Sequence, residues 1–138
     1  NCFYCGLELD DSIEVDHVIP WSAINHDDIW NLVLAHVDCN RQKLAHLPPK
    51  PFVEKLIQRN EIVLHSDLPL KEELKKVLGD SAKKRMEQVW NQYKIAVNTG
   101  LTIWGGNDKF DPSNDDFYKS WIGNRNASFW ERKFDKIQ

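Results

Sequence analysis

Two ligand pairs of equal spacing, Cys2-x-x-Cys5 and His36-x-x-Cys39, constrain this 138-residue chain more than any other feature. Each pair encloses two residues, and the pairs must converge from separate parts of the chain. Three thiols and an imidazole so arranged suit a tetrahedral Zn2+ ion. A tight knuckle presents the first pair, and the opening turn of a helix presents the second. Energetics favour this. A unit of about 47 residues draws only roughly 3–5 kcal/mol from its own core, whereas a structural zinc adds on the order of 10 kcal/mol or more. With four protein ligands no position remains for water, so the expected zinc is structural. The competing reading is three buried free thiols and a surface histidine. A complete disulfide framework is ruled out by the odd cysteine count, and a Cys2/Cys5 redox pair lacks the βαβ pattern it needs downstream. The expected compartment is reducing and cytoplasmic.

Around these pairs, the pattern of residues 1–47 is two short strands, a loop and a helix. Residues 13–19 alternate and are β-branched, which predicts a strand ended by Pro20. Residues 21–30 form a polar loop holding Trp21, Asn25, His26, Asp27, Asp28 and Trp30, and residues 32–35 make a second strand. Helical spacing from Val37 to Leu47 puts Asn40, Leu44 and Leu47 on one face, and Pro48-Pro49 stops it. The rest is mostly helical. One stripe runs through Phe52, Val53, Leu56, Ile57 and Leu64. A second helix has Asp67 as N-cap, Leu70, Leu74, Val77 and Leu78 as its face, and Gly79 as its stop. A third begins near Asp80 or Ser81, buries Met86, Val89, Trp90, Tyr93 and Val97, and ends at Gly100. Residues 101–114 predict loop or hairpin, and residues 115–137 two short amphipathic helices. The expected class is α+β, with a zinc-bound core over 1–47 and a helical extension over 48–138.

Composition, 41% hydrophobic and 28% charged, excludes a collagen-like, low-complexity or disordered acidic chain. No apolar run approaches the roughly 20 residues of a membrane span, and no signal peptide opens the chain. Starting at Asn1 without Met, it reads as a piece of a longer polypeptide with an upstream domain. The net charge of −3 is split: residues 1–47 carry two basic residues against eight acidic ones, leaving 16 basic against 13 acidic for residues 48–138. An acidic head can hold a cation while a basic body holds an anion.

A second constellation joins Asp16-His17, Asn31 and Asn40. Neighbours on a strand point to opposite faces, so Asp16 and His17 share a site only where the strand bends or ends, as Pro20 allows. A carboxylate from Asp16 and an amide oxygen from Asn40 make a hard half-shell for Mg2+ or Mn2+. His17 can take a proton from an attacking water. Together these describe metal-assisted hydrolysis of a phosphoester.

Asp16-His17-Val-Ile-Pro20, Trp30-Asn31-Leu-Val-Leu34 and Cys39-Asn40-Arg-Gln-Lys43 resemble the HNH nucleases of the ββα-metal fold. The zinc pairs resemble those of the McrA-like branch. The resemblance covers residues 2–47. It implies His17 as general base, Asp16 and Asn40 as ligands of the catalytic metal, and Asn31 as the middle asparagine that pins the loop and positions the histidine. His36 stands where zinc-bearing relatives usually have cysteine, and Asn40 where other branches have histidine, a shift that favours Mg2+ or Mn2+. The implied activity is endonucleolytic cleavage of DNA, with RNA left open, by an effector domain of a larger restriction or antiphage protein. The rival is a zinc-stabilised module that binds nucleic acid or protein without catalysis.

Arg41 and Lys43 are expected to reach phosphate or lie in solvent. His26 and His46 read as surface histidines off the site, and Trp21 and Trp30 as packing under the loop. The runs Lys75-Lys76 and Lys83-Lys84-Arg85 read as a solvated face. Lys119, Arg125, Arg132, Lys133 and Lys136, with Trp121 and Trp130, are the better candidates for backbone contacts.

Overall fold

The computed structural model describes residues 1–105; the expectations for the tail, including its basic and aromatic cluster, fall outside them. Strand β1 (Ile13–His17) pairs antiparallel with β2 (Leu32–His36), Ile13 opposite His36 and His17 opposite Leu32. That register places Glu14 and Asp16 beside Val33 and Ala35 on the inner face, against which α2 (Val37–Lys43) packs. Ile13, Val15 and Leu34 are exposed. The ladder ends at His17 rather than Ile19, because Ile19 bonds through both backbone groups to the Asn31 side chain. Between the strands lie helix α1 (Trp21–Ile24) and a 3-10 turn over Ile29–Asn31.

Helix α2 stops four residues earlier than its spacing predicts. Leu44 takes a positive φ of 52° and is exposed, so it shares no buried helical face with Asn40. Leu47 is buried by a different device: its N–H donates to Thr102 O, and it accepts from Trp104 N–H, in a parallel bridge opposite Ile103.

Among the described residues three helices follow: α3 (Lys50–Leu64), α4 (Lys71–Leu78) and α5 (Ala82–Val97). The stripe of α3 is buried as its spacing requires. Asp67 does not cap α4, which opens at Leu70 with no side-chain cap; Ser66 Oγ takes the local N–H, that of Leu68. At Gly79 φ is +117°, a conformation that ends α4 and suits glycine. Ser81 Oγ accepts from Lys84 N–H and starts α5. Met86, Val89, Trp90 and Tyr93 are buried on α5, but Val97 is exposed and Ala96 takes its place in the core. Arg85 is buried too, bonded through two nitrogens to Glu61, so it leaves the solvated face expected of its run.

One cluster of buried side chains extends from Cys2 to Trp104. Phe3, Tyr4, Phe52 and Trp104 pack edge-on or tilted at its centre. Lys55 Nζ donates to Phe3 O at 2.6 Å, and Arg59 donates to the carbonyls of Ile29, Trp30 and Leu32. Helix α3 therefore braces both the knuckle and the turn before β2. Among the described residues, no helix is long and apolar enough to cross a membrane.

Candidate functional site

Cys2, Cys5, His36 and Cys39 bring their ligand atoms within 4.8 Å of one another. His36 Nδ1 lies 3.3 Å from Cys5 Sγ and 3.9 Å from Cys39 Sγ. Its Nε2 donates to Glu8 O at 2.8 Å, which leaves Nδ1 as the bare nitrogen turned toward the thiols. Zinc–sulfur bonds of about 2.3 Å set tetrahedral ligand atoms about 3.5–4 Å apart. The cluster fits that ion. Burial, then the charges of Cys2 and Cys5, push the Cys39 thiol up to about 12; the sulfurs compete for negative charge that a cation relieves.

Beside this cluster, Asp16, His17 and Asn40 line one open cavity of about 410 Å3, with Trp21 and Arg41 also in its wall. Strand β1 supplies the first two side chains at the point where its ladder stops, and the first turns of α2 supply Asn40. Asp16 is 12% exposed. Its Oδ2 accepts from the Tyr4 hydroxyl and sits 3.2 Å from Lys43 Nζ. Its Oδ1 has no hydrogen-bond partner among the described residues. Asn40 Nδ2 donates to Glu14 Oε2 at 2.6 Å. An ionised carboxylate only accepts, so it fixes the amide nitrogen on its own side and frees the amide oxygen. Asp16 and Asn40, a carboxylate and an amide, thus stand together in the cavity lining.

Residues 2–45 match the family model of the HNH endonucleases. This segment is an HNH domain. No curated protein and no solved structure matches the chain.

Within the HNH domain, Asn31 is fully buried, its Oδ1 accepting from Ile19 N–H at 2.9 Å and its Nδ2 donating to Ile19 O at 2.8 Å. That exchange fixes the chain just beyond His17. Arg41 is exposed on the cavity wall. Lys43 is not available to a phosphate: its side chain is 0% exposed, and Nζ donates to His17 O at 3.1 Å while facing Asp16. Burial pulls its ammonium below the usual lysine value, and Asp16 pulls the other way. Burial, then the Asp16 charge, raises Tyr4 well above the ordinary tyrosine value, so it remains a hydrogen-bond donor.

Trp30 packs under the loop, but Trp21 is 52% exposed on the cavity wall, because the short α1 turns no buried face inward. His26 pairs with Asp28 and packs on Trp30, and His46 bonds Thr102. Sequence reasoning missed three partners of the site. Glu14 was findable, lying two residues before Asp16 on the same strand face. Tyr4 and Asp27, the latter 2.7 Å from His17 Nε2, reach it through knuckle and loop paths that no local pattern encodes.

Proposed function

We propose that this HNH domain is a divalent-metal-dependent endonuclease that hydrolyses phosphodiester bonds in DNA. One observation carries the reading: Asp16 and His17 from β1 and Asn40 from α2 line a single cavity. A bound Mg2+ or Mn2+ would be held by Asp16 and Asn40 and would stabilise the charge developing on the phosphoryl group, worth several kcal/mol. His17 takes a proton from the attacking water, contributing roughly 10²–10⁴ in rate. Asn31 acts through position alone. Arg41, exposed in the cavity lining, supplies a cation for a backbone phosphate. The four-ligand cluster holds a structural zinc, and helices α3 to α5 pack against the nuclease core of residues 1–47.

Lys43, Tyr4 and Glu14 favour this over a binding module without catalysis. They orient Asp16 and Asn40 around a cavity, an arrangement that a scaffold has no use for. Effector work in a larger restriction or antiphage protein, in the cytoplasm, is the context that fits a nuclease segment of this kind. Incubation of plasmid with Mg2+, Mn2+ or chelator, comparing the native chain with His17→Ala, tests the reading. Metal-dependent strand cutting should vanish in the variant while zinc content stays unchanged. Native cutting in chelator, or undiminished cutting by His17→Ala, overturns it.

A further inference from the structure

His17 has two ring nitrogens, and the loop following α1 decides which one can work. Asn25 ends α1 in the left-handed conformation, with φ 55° and ψ 35°. Two residues on, Asp27 Oδ1 sits 2.7 Å from His17 Nε2. The adjacent acid does not compete for this place, since Asp28 faces His26, whose Nδ1 also accepts from Asp28 N–H. Asp27 is 75% exposed and has no other partner among the described residues, so nothing in their packing accounts for its position. His17 Nδ1 has no hydrogen-bond partner among the described residues, and the ring belongs to the cavity wall.

We propose that Asp27 is a positioning residue that locks His17 in the Nε2–H tautomer and so makes Nδ1 the proton acceptor. An ionised carboxylate cannot donate, so a bond at 2.7 Å requires the hydrogen on Nε2. The neutral ring then keeps its lone pair on Nδ1. In the reaction Nδ1 takes one proton from water as the water oxygen bonds to phosphorus. The bond from phosphorus to the 3′ oxygen breaks, and its electron pair leaves with that oxygen. The carboxylate stabilises the imidazolium so formed without taking a proton, the logic of an acid placed behind a histidine base. This rests on the assignment of His17 as the base, so the test needs a measurement independent of cleavage.

Long-range proton–nitrogen correlation spectra of the full chain, labelled with 15N-histidine, report the tautomer directly, and His17→Gln identifies the signal. The native ring should show a protonated Nε2 and a bare Nδ1, and Asp27→Ala should show a mixture of tautomers. Plasmid cleavage with Mn2+ supplies the second arm. Asp27→Ala should lower kcat roughly ten- to a hundredfold at unchanged KM, a part of what a general base supplies, and Asp27→Glu should recover part of it. A native ring protonated at Nδ1 overturns the proposal, as does native kcat in Asp27→Ala or an effect confined to KM. If the tautomer is as stated but His17→Ala still cuts, the assignment of the base fails, and the catalytic role of Asp27 falls with it while the tautomer it sets remains.

Discussion

Lys43 illustrates how a single residue changes meaning between sequence and structure. Three positions past Asn40 it shares that side of α2, and a pattern of basic residues near a phosphate site suggests contact with substrate. Inside the fold its ammonium instead ties His17 O to Asp16. Lys43→Met should therefore act on stability first. It removes a charge-assisted bond and leaves a carbonyl and a mostly buried carboxylate short of a donor, a loss of about 1–3 kcal/mol. Urea unfolding of the zinc-loaded protein checks this, and an unchanged midpoint would contradict it. Glu14 works at the same scale on the other oxygen donor. Glu14→Ala takes away the acceptor that orients the Asn40 amide, while the partly buried strand position keeps the fold. The Mn2+ concentration for half-maximal cleavage should rise about tenfold or more, as when partners of metal ligands are lost. An identical Mn2+ titration would remove Glu14 from the site.

At the scale of elements, α2 carries both sites: Cys39 belongs to the zinc cluster and Asn40, the next residue, to the cavity. Loss of a zinc ion held by the cluster would therefore disturb the cavity. Cys39→Ala should lose the ordered head, with no bound zinc and no cleavage, while circular dichroism keeps much of the signal of α3 to α5. Full native dispersion in a zinc-free Cys39→Ala spectrum would refute the coupling. In the metal-free protein the Cys39 thiol, pushed up to about 12, is protonated at neutral pH, and zinc binds the thiolate. Uptake expels that proton, so apparent zinc affinity should rise with pH, as chelator competition would show. The elements also divide by legibility. The stripe Phe52, Val53, Leu56, Ile57 and Leu64 and the alternation of Ile13 to His17 are local patterns, and local patterns are what a sequence displays. Asp16, His17 and Asn40 are named together by motif spacing, and the fold brings them to the lining of one cavity. The early end of α2 was not legible, since Leu47 is held by residues 102–104, more than 50 positions away. Nor was the Asp67 cap, because Ser66 competes for the same turn.

For the whole molecule, Pro48-Pro49 looks like a seam in composition, yet the forces that hold residues 1–47 cross it. Lys55 satisfies the Phe3 carbonyl inside the knuckle, Arg59 and Asn60 satisfy the turn at Ile29–Leu32, and Tyr93 donates to Pro48 O. Phe3 and Tyr4 lie against Phe52 and Trp104, which come from beyond the seam. Cutting the chain after Leu47 would expose these rings and leave several carbonyls without their buried donors, each costing about 1–3 kcal/mol if it stays desolvated. A zinc ion held by the four ligands would close the knuckle onto α2 but replace none of those partners. A peptide of residues 1–47 should therefore bind zinc through its four ligands and still give a poorly dispersed NMR spectrum, with zinc affinity below that of the full chain. Dispersed, native-like resonances for Trp30 and Tyr4 in the zinc-loaded peptide would show the opposite, that the metal alone holds the catalytic frame and the helices only shield it.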